Sequence, residues 1–426
     1  MTLFVDFAIL YELYYYQNKI MIHSIKIKNF FSIKEEQIIS FEVDDNVPDS
    51  DIYTKSLDKR ISRLNLFVGG NGAGKTNAMR AFSFIHWFIT GPRQIINNKV
   101  NLPYMTWFQK DDKNDSMELE ITFSIKNIEY VYRIHFFHSQ LIKEELISRS
   151  KKEERYTSTT LFSKVRSKND EVQISGKYKI EGSIIKDGNL EKVANGGVFQ
   201  SAFLSVIQQL ANTFGIQEYQ DILSYFQKIS ITTELLPTGQ LNNMPIINLF
   251  LLKQDNNKNL YEKVKNILRD FDLGFDSFNG DIKDVGNGNF EVKDLLEIHN
   301  LEGKIYRNPM NYSSNGTRKL FYIIHQILWS VENRVPCIID EFDTYLHYSI
   351  IEKIIDLVNV EENLQLIISS HNHLIMNKID KYQLFLVEKN NLQTEVYRLD
   401  SIKNLRNTDN FFLNYISGKY GAINNI

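Results

Sequence analysis

From residue 22 onward the chain switches between two hydrophobic periods. Ile22-His23-Ser24-Ile25-Lys26-Ile27-Lys28-Asn29-Phe30 alternates apolar and polar positions, as a half-buried strand does. Leu64-Asn65-Leu66-Phe67-Val68 is a short apolar run that ends in glycine, a strand feeding a glycine-rich loop. Ala78, Met79, Phe82, Ile85, Phe88 and Ile89 then recur at helical spacing until Gly91-Pro92 stops the helix. Two alternating runs, Leu119 to Ile125 and Tyr130 to Phe136, are joined by Lys126-Asn127-Ile128-Glu129 and predict a β-hairpin.

The pattern changes between about residues 140 and 300. Lys143 to Lys168 is charged and weakly periodic, and helical patterns follow at Phe199 to Phe214, Tyr219 to Ile229 and Leu260 to Phe271. No heptad pattern lasts three or four repeats, so a long coiled-coil arm is not supported. The expectation is a compact, mostly helical lid inserted into a head. Core-like patterning returns near residue 293. A helix over Thr317 to Glu332 carries Leu320, Phe321, Ile324, Ile327, Leu328 and Val331 on one face. The strand Cys337-Ile338-Ile339 ends at Asp340-Glu341, with Pro336 at its start, where a missing N–H is tolerated. A helix over Ile350 to Val358 leads to the strand Leu364 to Ile368, which ends at Ser369-Ser370-His371, and strands near Gln383 to Glu388 and Glu395 to Leu399 follow. Strands alternating with helices imply an α/β fold with a largely parallel sheet. The segments are an N-terminal extension (1–20), the first half of a head (21–139), the lid (140–292), the second half of the head (293–400) and a tail (401–426).

Bulk composition changes this picture little. A length of 426 residues suggests two to three domains. A net charge of −3 excludes a global basic field, leaving only a local patch for nucleic acid. Cys337 is the only cysteine, which excludes disulfides within the chain and fits a reducing cytoplasm. No run approaches the roughly 20 apolar residues of a membrane span. Met1 to Ile20 is apolar and Tyr-rich but interrupted by Asp6 and Glu12, and it lacks the basic start and cleavage site of a signal peptide. Met21 opens a better-formed strand, so residues 1–20 read as an extension or an early start; a packed N-terminal helix is the plain alternative.

The chemistry begins with Gly69-Gly70-Asn71-Gly72-Ala73-Gly74-Lys75-Thr76, a full match to the phosphate-binding-loop pattern between a strand and a helix. Its glycines let backbone N–H groups wrap phosphates at a positive helix N-terminus, and Asn77 continues that first turn. Lys75 would reach the β and γ phosphates of ATP, and the Thr76 hydroxyl would ligate Mg²⁺. Asp340-Glu341 lies where such folds place the magnesium-side acid: Asp340 would hold the ion, and Glu341 would polarise the attacking water. Roughly 265 residues separate Lys75 from Asp340, more than a typical domain, so opposite ends of the chain supply one site. Ser313-Ser314-Asn315-Gly316-Thr317 precedes a long amphipathic helix; taken alone it is an N-cap, but its donors also suit a γ-phosphate. His371 sits at the C-terminal edge of the sheet, where α/β proteins bind ligands. His371-Asn372-His373 cannot converge on one metal as nuclease residues from separate elements do, and no zinc spacing is present.

This order of motifs resembles the heads of ABC-class ATPases, as in SMC and RecF proteins. It resembles more specifically the ATPases of bacterial phage-defence systems of the AbiL/RloA type, relatives of the ATPase half of OLD proteins. Ile25-x-Ile27-x-Asn29-Phe30-x-Ser32 looks like that family's opening, and Ser314-Asn315-Gly316-Thr317 like its signature. Asp340-Glu341-Phe342-Asp343 with Leu346-His347 looks like its acidic strand and D-loop, and Gly418-Lys419-Tyr420-Gly421-Ala422-Ile423 like its tail. Relatives often carry glutamate where this chain has Ser313, and Gln109 is the nearest candidate for a Q-loop. The resemblance implies an ABC-type P-loop ATPase head with a mixed sheet, an antiparallel N-terminal β lobe and the inserted lid. It also implies an ATP-sandwich homodimer in which Ser314 and Gly316 act in trans, with Lys75, Glu341 and His371 catalytic.

What such a switch controls stays open at this stage. The chain stops after the head, with no Toprim-type nuclease, so the resemblance implies a separately encoded effector, a nuclease or toxin, in an anti-phage system. Nucleic acid or a phage-derived trigger are further partner classes. The alternative is a RecF/SMC-like DNA-binding repair or clamp ATPase, which would need a basic groove. A transporter subunit fits poorly with so large an insertion.

Overall fold

The computed structural model describes residues 20–48, 50–90, 106–107, 116–137, 140–152, 155–166, 172–177, 217–233, 258–271, 276–286, 289–406 and 408–421. In chain order these give strands β1 (Met21–Lys28), β2 (Gln37–Ser40), β3 (Glu42–Val43), β4 (Tyr53–Ser56), β5 (Lys59–Ser62) and β6 (Leu64–Val68), then helix α1 (Lys75–Thr90). Next come β7 (Ser116–Ile125), β8 (Ile128–Phe137), β9 (Gln140–Lys152), β10 (Arg155–Arg166) and β11 (Val172–Ser175). Helix α2 (Gln217–Lys228), strand β12 (Ser230–Thr232) and helix α3 (Lys258–Asp270) precede β13 (Ser277–Gly286), β14 (Asn289–Leu301) and β15 (Lys304–Pro309). The last part holds α4 (Asn315–Asn333), β16 (Cys337–Ile339), α5 (Tyr348–Val360), β17 (Leu366–Ser369), β18 (Leu384–Asn390), β19 (Gln393–Arg398) and α6 (Phe411–Ile416).

The central sheet runs β12-β16-β17-β6-β18-β19, parallel throughout except for the β18–β19 hairpin at its edge. Its inner strands are short apolar runs because both faces are covered. Leu64, Leu66 and Val68 of β6, with Cys337, Ile339, Leu366 and Ile368, face a core shared with α3, α4 and α5. Phe67, Ile338, Ile367 and Phe385 face the opposite core, shared with α1 and α2. There Phe67 stacks on Phe385 with ring centroids 4.8 Å apart.

The second large sheet, β11-β10-β9-β8-β7-β1-β2, is antiparallel and forms the N-terminal lobe. The β7–β8 hairpin turns through Lys126 (φ 48°) and Asn127 (φ 61°), a two-residue turn whose twist suits the strands. Buried Gln365, just before β17, ties the two sheets. Its carboxamide accepts from Ile22 N and donates to Ile22 O, both at 2.8 Å, as a strand neighbour would. A charged clamp holds the small β3-β5-β4 sheet to the lobe. Lys59 donates to Glu42 (2.8 Å) and to buried Glu129 (2.6 Å), which also accepts from Arg149 (3.0 Å). Although burial opposes ionisation, bonds from His23, Lys59 and Arg149 bring the Glu129 carboxyl down to about 2.

The fold class is the expected one, α/β with a mixed sheet and an antiparallel N-terminal lobe. The expectation of a mostly helical lid over 140–292 differs from what is described there. Residues 140–152 and 155–166 are two long strands that extend the N-terminal sheet, and 277–286 and 289–301 are two more. The period of two is masked because charged residues, paired across strands (Arg133–Glu145) and along β9 (Lys143–Glu145), supply one face, while bulges at His135/Phe136 and Thr160/Phe162 break the alternation. Helices α2 and α3 fall where the periodicity put them; the helix expected over Phe199 to Phe214 lies outside the described residues, as do Gln109 and residues 1–19. Among the described residues no helix is long and apolar enough to cross a membrane.

One core residue is out of place chemically. His325, in the middle of α4, is fully buried, and among the described residues neither ring nitrogen has a hydrogen-bond partner. Burial pushes its pKa down to about 3. The unfolded chain therefore binds a proton that the fold refuses, so this group leaves stability intact above pH 6.5 and erodes it as pH falls from there towards 3. From pH 7 to pH 5 the loss is about 2 kcal/mol. Urea melts of His325→Leu should show higher stability at pH 5 than the parent and a shallower pH slope; an unchanged slope would refute the assignment.

Candidate nucleotide-binding site

The site is assembled where β6, β16 and β17 end. The loop from Gly69 to Gly74 leaves β6 and enters α1 at Lys75. Two of its glycines are required by close approach. A Cβ on Gly69 would lie 2.1 Å from the Val387 carbonyl oxygen of β18. Gly74 has φ +112°, and a Cβ there would meet Thr394 Oγ1 at 2.1 Å.

That threonine belongs to a relay that braces the loop from outside. Asn77 Nδ2 donates to Ser32 Oγ (2.7 Å), Ser32 and Thr394 hydroxyls are 2.7 Å apart, and Thr394 Oγ1 donates to the Ala73 carbonyl (2.7 Å). Arg80 donates to the Asn77 oxygen at 3.0 Å, so both ends of the expected ligand Asn77 are engaged in the brace. The backbone pairs as well, with Thr394 N on Ser32 O at 2.8 Å.

Lys75 is 4% exposed, and its ammonium donates to the carbonyls of Gly69 (2.8 Å) and Gly70 (3.2 Å). His371 Nδ1 lies 3.5 Å from the same nitrogen. Burial lowers the lysine's pKa, while Asp340, Asp343 and Glu341 act against that. Thr76 follows, half-buried, in the first turn of α1.

The acidic edge is held by β17. The Ser369 hydroxyl donates to Asp340 Oδ1, while Ser369 Oγ accepts from Glu341 N at 2.9 Å. Glu341 takes a left-handed backbone (φ +50°) and its side chain is exposed, turned out beyond the half-buried Asp340. Asp343 accepts from His371 N at 3.1 Å and from Asn372 N at 2.8 Å, which fixes the histidine's segment to the acidic turn. The exposed His371 is thus presented beside Lys75. Next to it, His373 stacks on Tyr415 of α6 with centroids 4.7 Å apart, so the C-terminal helix also packs against this edge.

Ser314 and Gly316 stand at the start of α4. Ser314 caps the helix, accepting from Thr317 N at 3.0 Å, and both Ser314 and Asn315 are exposed. Gly316 leaves 2.7 Å between a would-be Cβ and the Tyr345 carbonyl oxygen, so the helix start lies on the turn that follows the acids. Ser313 donates to Glu297 of β14, away from any ligand role. Residues that local reasoning did not single out for a role are Ser369 and Thr394. Each acts through a partner distant in the chain, and only Ser369, two residues before His371, carried a neighbouring signal.

The residues present fit ATP with Mg²⁺. The glycine loop with Gly72 at φ +74° and Gly74 at φ +112° opens its N–H groups at a helix N-terminus, a cradle for phosphates. The Thr76 hydroxyl and Asp340 carboxylate are the hard oxygen donors that magnesium takes.

A family described as "AAA domain, putative AbiEii toxin, Type IV TA system" matches residues 64–377, most of the chain. None of the curated proteins matches. Solved structures resembling this one include the SMC head domain from Thermotoga maritima, at 15% identity over 88% of this chain and 98% of that one, with TM-score 0.39. The Smc head domain with an extended coiled coil, bound to the C-terminal domain of ScpA derived from Pyrococcus furiosus, is 12% identical over 90% and 97%, with TM-score 0.44. The Smc head domain with a coiled coil and joint derived from Pyrococcus yayanosii is 11% identical over 94% and 99%, with TM-score 0.45.

The brace is testable apart from the ligand contacts. Thr394→Val removes the hydroxyl between Ser32 and Ala73 and should weaken nucleotide binding by roughly tenfold, the equivalent of about one hydrogen bond, with little change in melting temperature. Gly74→Ala should abolish binding in the same titration calorimetry. Full affinity in either variant would show that the brace does not shape the loop.

Proposed function

The chain belongs to the family of AAA domains described as putative AbiEii toxins of type IV toxin–antitoxin systems, and from that premise we propose that it binds and hydrolyses ATP as an ATP-sandwich homodimer. The observation that carries the reading is the buried Lys75 ammonium, seated on Gly69 and Gly70 carbonyls beside His371 and facing Asp340. A cation held in the mouth of a glycine cradle, opposite a strand-end acid, is the arrangement phosphoryl transfer requires.

In this proposal bound Mg²⁺-ATP supplies the transferable phosphoryl group and the cation that neutralises it. The protein does the rest. Lys75 and the loop N–H groups hold the β and γ phosphates, and Thr76 with Asp340 holds the ion. Glu341, beyond Asp340 and exposed, orients the attacking water and takes its proton. His371 fixes the γ-phosphate side. The exposed N-terminus of α4, with Ser314 and Gly316, offers its N–H groups and positive dipole end to the γ-phosphate bound by the other subunit.

A nucleotide gripped by two subunits couples hydrolysis to a change of shape. The output of that change is control of a separately encoded effector, a nuclease or toxin, in anti-phage defence. The family's toxin–antitoxin description supports an output of this kind.

Lys75→Ala should weaken ATP binding on the order of 100-fold, the loss expected for a charge-assisted phosphate contact of about 3 kcal/mol. Glu341→Gln should bind ATP, accumulate as dimer on size-exclusion chromatography, and hydrolyse on the order of 10²–10⁴-fold more slowly. Mixing Ser314→Arg with Lys75→Ala subunits should restore hydrolysis at one composite site. Wild-type turnover by Glu341→Gln would remove that residue's role, and no rescue in the mixture would sink the trans arrangement.

A further inference from the structure

The three-stranded sheet β13-β14-β15 meets the start of α4 at one rung. Phe278 of β13 stands opposite Glu297 of β14, and Glu297 stands opposite Asn308 of β15, so the three side chains share one face of the sheet. Phe278 is fully buried and meets Phe321, in the second turn of α4, edge to face with ring centroids 4.8 Å apart. Tyr261 of α3 lies 4.7 Å from the same ring.

Glu297, 4% exposed, makes the polar half of the contact. Its Oε1 accepts from the Ser313 hydroxyl and its Oε2 from Asn308 Nδ2 at 3.2 Å, with His299 Nε2 3.6 Å away. A buried carboxyl left without donors is costly, so Glu297 holds both of its donors in place. Ser313 is the last residue before the helix cap. Its backbone N–H donates to Met310 O at 3.1 Å, and Met310 is buried in the core that also holds Phe278 and Phe321. On either side Asn311, Tyr312, Ser314 and Asn315 are exposed. Ser313 therefore fastens this stretch to the body, and Glu297 takes its side chain.

We propose that Glu297 is a positioning residue for the helix start that serves the second subunit. By gripping Ser313 it sets where the chain enters α4, and so where the N–H groups and positive helix end at Ser314–Gly316 point. This rests on the proposed sandwich and deepens it, because the residue belongs to one subunit and its effect is felt at the nucleotide bound by the other. The phosphate loop of its own subunit is braced separately, through Asn77, Ser32 and Thr394.

The test uses full-length subunits, alone and in mixtures. Glu297→Ala should bind ATP with wild-type affinity in calorimetry and hydrolyse it on the order of 10–100-fold more slowly, the cost of misplacing a group that meets the reacting phosphate. Ser313→Ala removes the donor and leaves the sheet untouched, so it carries the same test if Glu297→Ala destabilises the chain. It should slow hydrolysis alike, and the double variant should be no slower than the slower single one. Glu297→Gln keeps an acceptor for Ser313 and should recover most of the rate. Mixing Glu297→Ala with Lys75→Ala subunits should restore hydrolysis at a composite site, whereas mixing it with Ser314→Arg should not; a subunit that is merely destabilised would be rescued by neither. Wild-type turnover by both Glu297→Ala and Ser313→Ala overturns the positioning role, as does a loss that Lys75→Ala subunits fail to relieve. If Ser314→Arg with Lys75→Ala still regains activity in that case, the sandwich stands; if that pair fails too, both readings fall.

Discussion

The parallel pairing of β6 with β17 is the constraint from which the site follows. Leu64 stands opposite Leu366 and Phe67 opposite Ser369, and β16 continues the ladder with Cys337 opposite Leu366. Because the three strands run the same way, their C-terminal ends emerge at one edge, and the glycine loop, Asp340 and His371 emerge with them. The register is protected by packing on both sides. A slip of one residue would turn Phe67 out of the aromatic stack and push Leu66 and Val68 into the wrong core.

Around that edge the fold spends polar groups on rigidity. Gln365 substitutes for a strand neighbour between the sheets, Ser369 serves two acids' worth of backbone and side chain, and the Asn77–Ser32–Thr394–Ala73 relay grips the loop from the side away from the ligand. A loop held in shape before ligand arrives loses less entropy on binding. The first turn of α4 leans on the acidic turn through Gly316.

How much could be read without coordinates depended on the range of the interactions. Strands β6 and β16 and helices α1 and α4 were legible because burial alone sets their period, and the loop and acid pair were legible because their chemistry is local in sequence. The strands β9 and β10 were not. Their charges pair across and along the strands and two bulges break the alternation, so the pattern imitates an irregular charged segment. The supports of the site were illegible for a different reason. Ser369 reaches Asp340 across 29 residues and Thr394 reaches Ala73 across 321, and a hydroxyl has no neighbours in sequence that announce such a partner.

The ladder between Leu64 and Leu366 also sets a timetable for synthesis. About 300 residues separate these partners, so at ribosomal speeds of roughly 5–20 residues per second β6 waits about 15–60 s for β17 to appear. Throughout that interval a strand with apolar faces and open backbone edges stands unpaired while the antiparallel lobe, whose β7–β11 follow it in the chain, is completed beside it, a condition that invites wrong partners. The nascent chain therefore has reason to depend on a holding chaperone for its first half, and a ribosome that pauses late in the message would prolong the most vulnerable stage of the molecule's life.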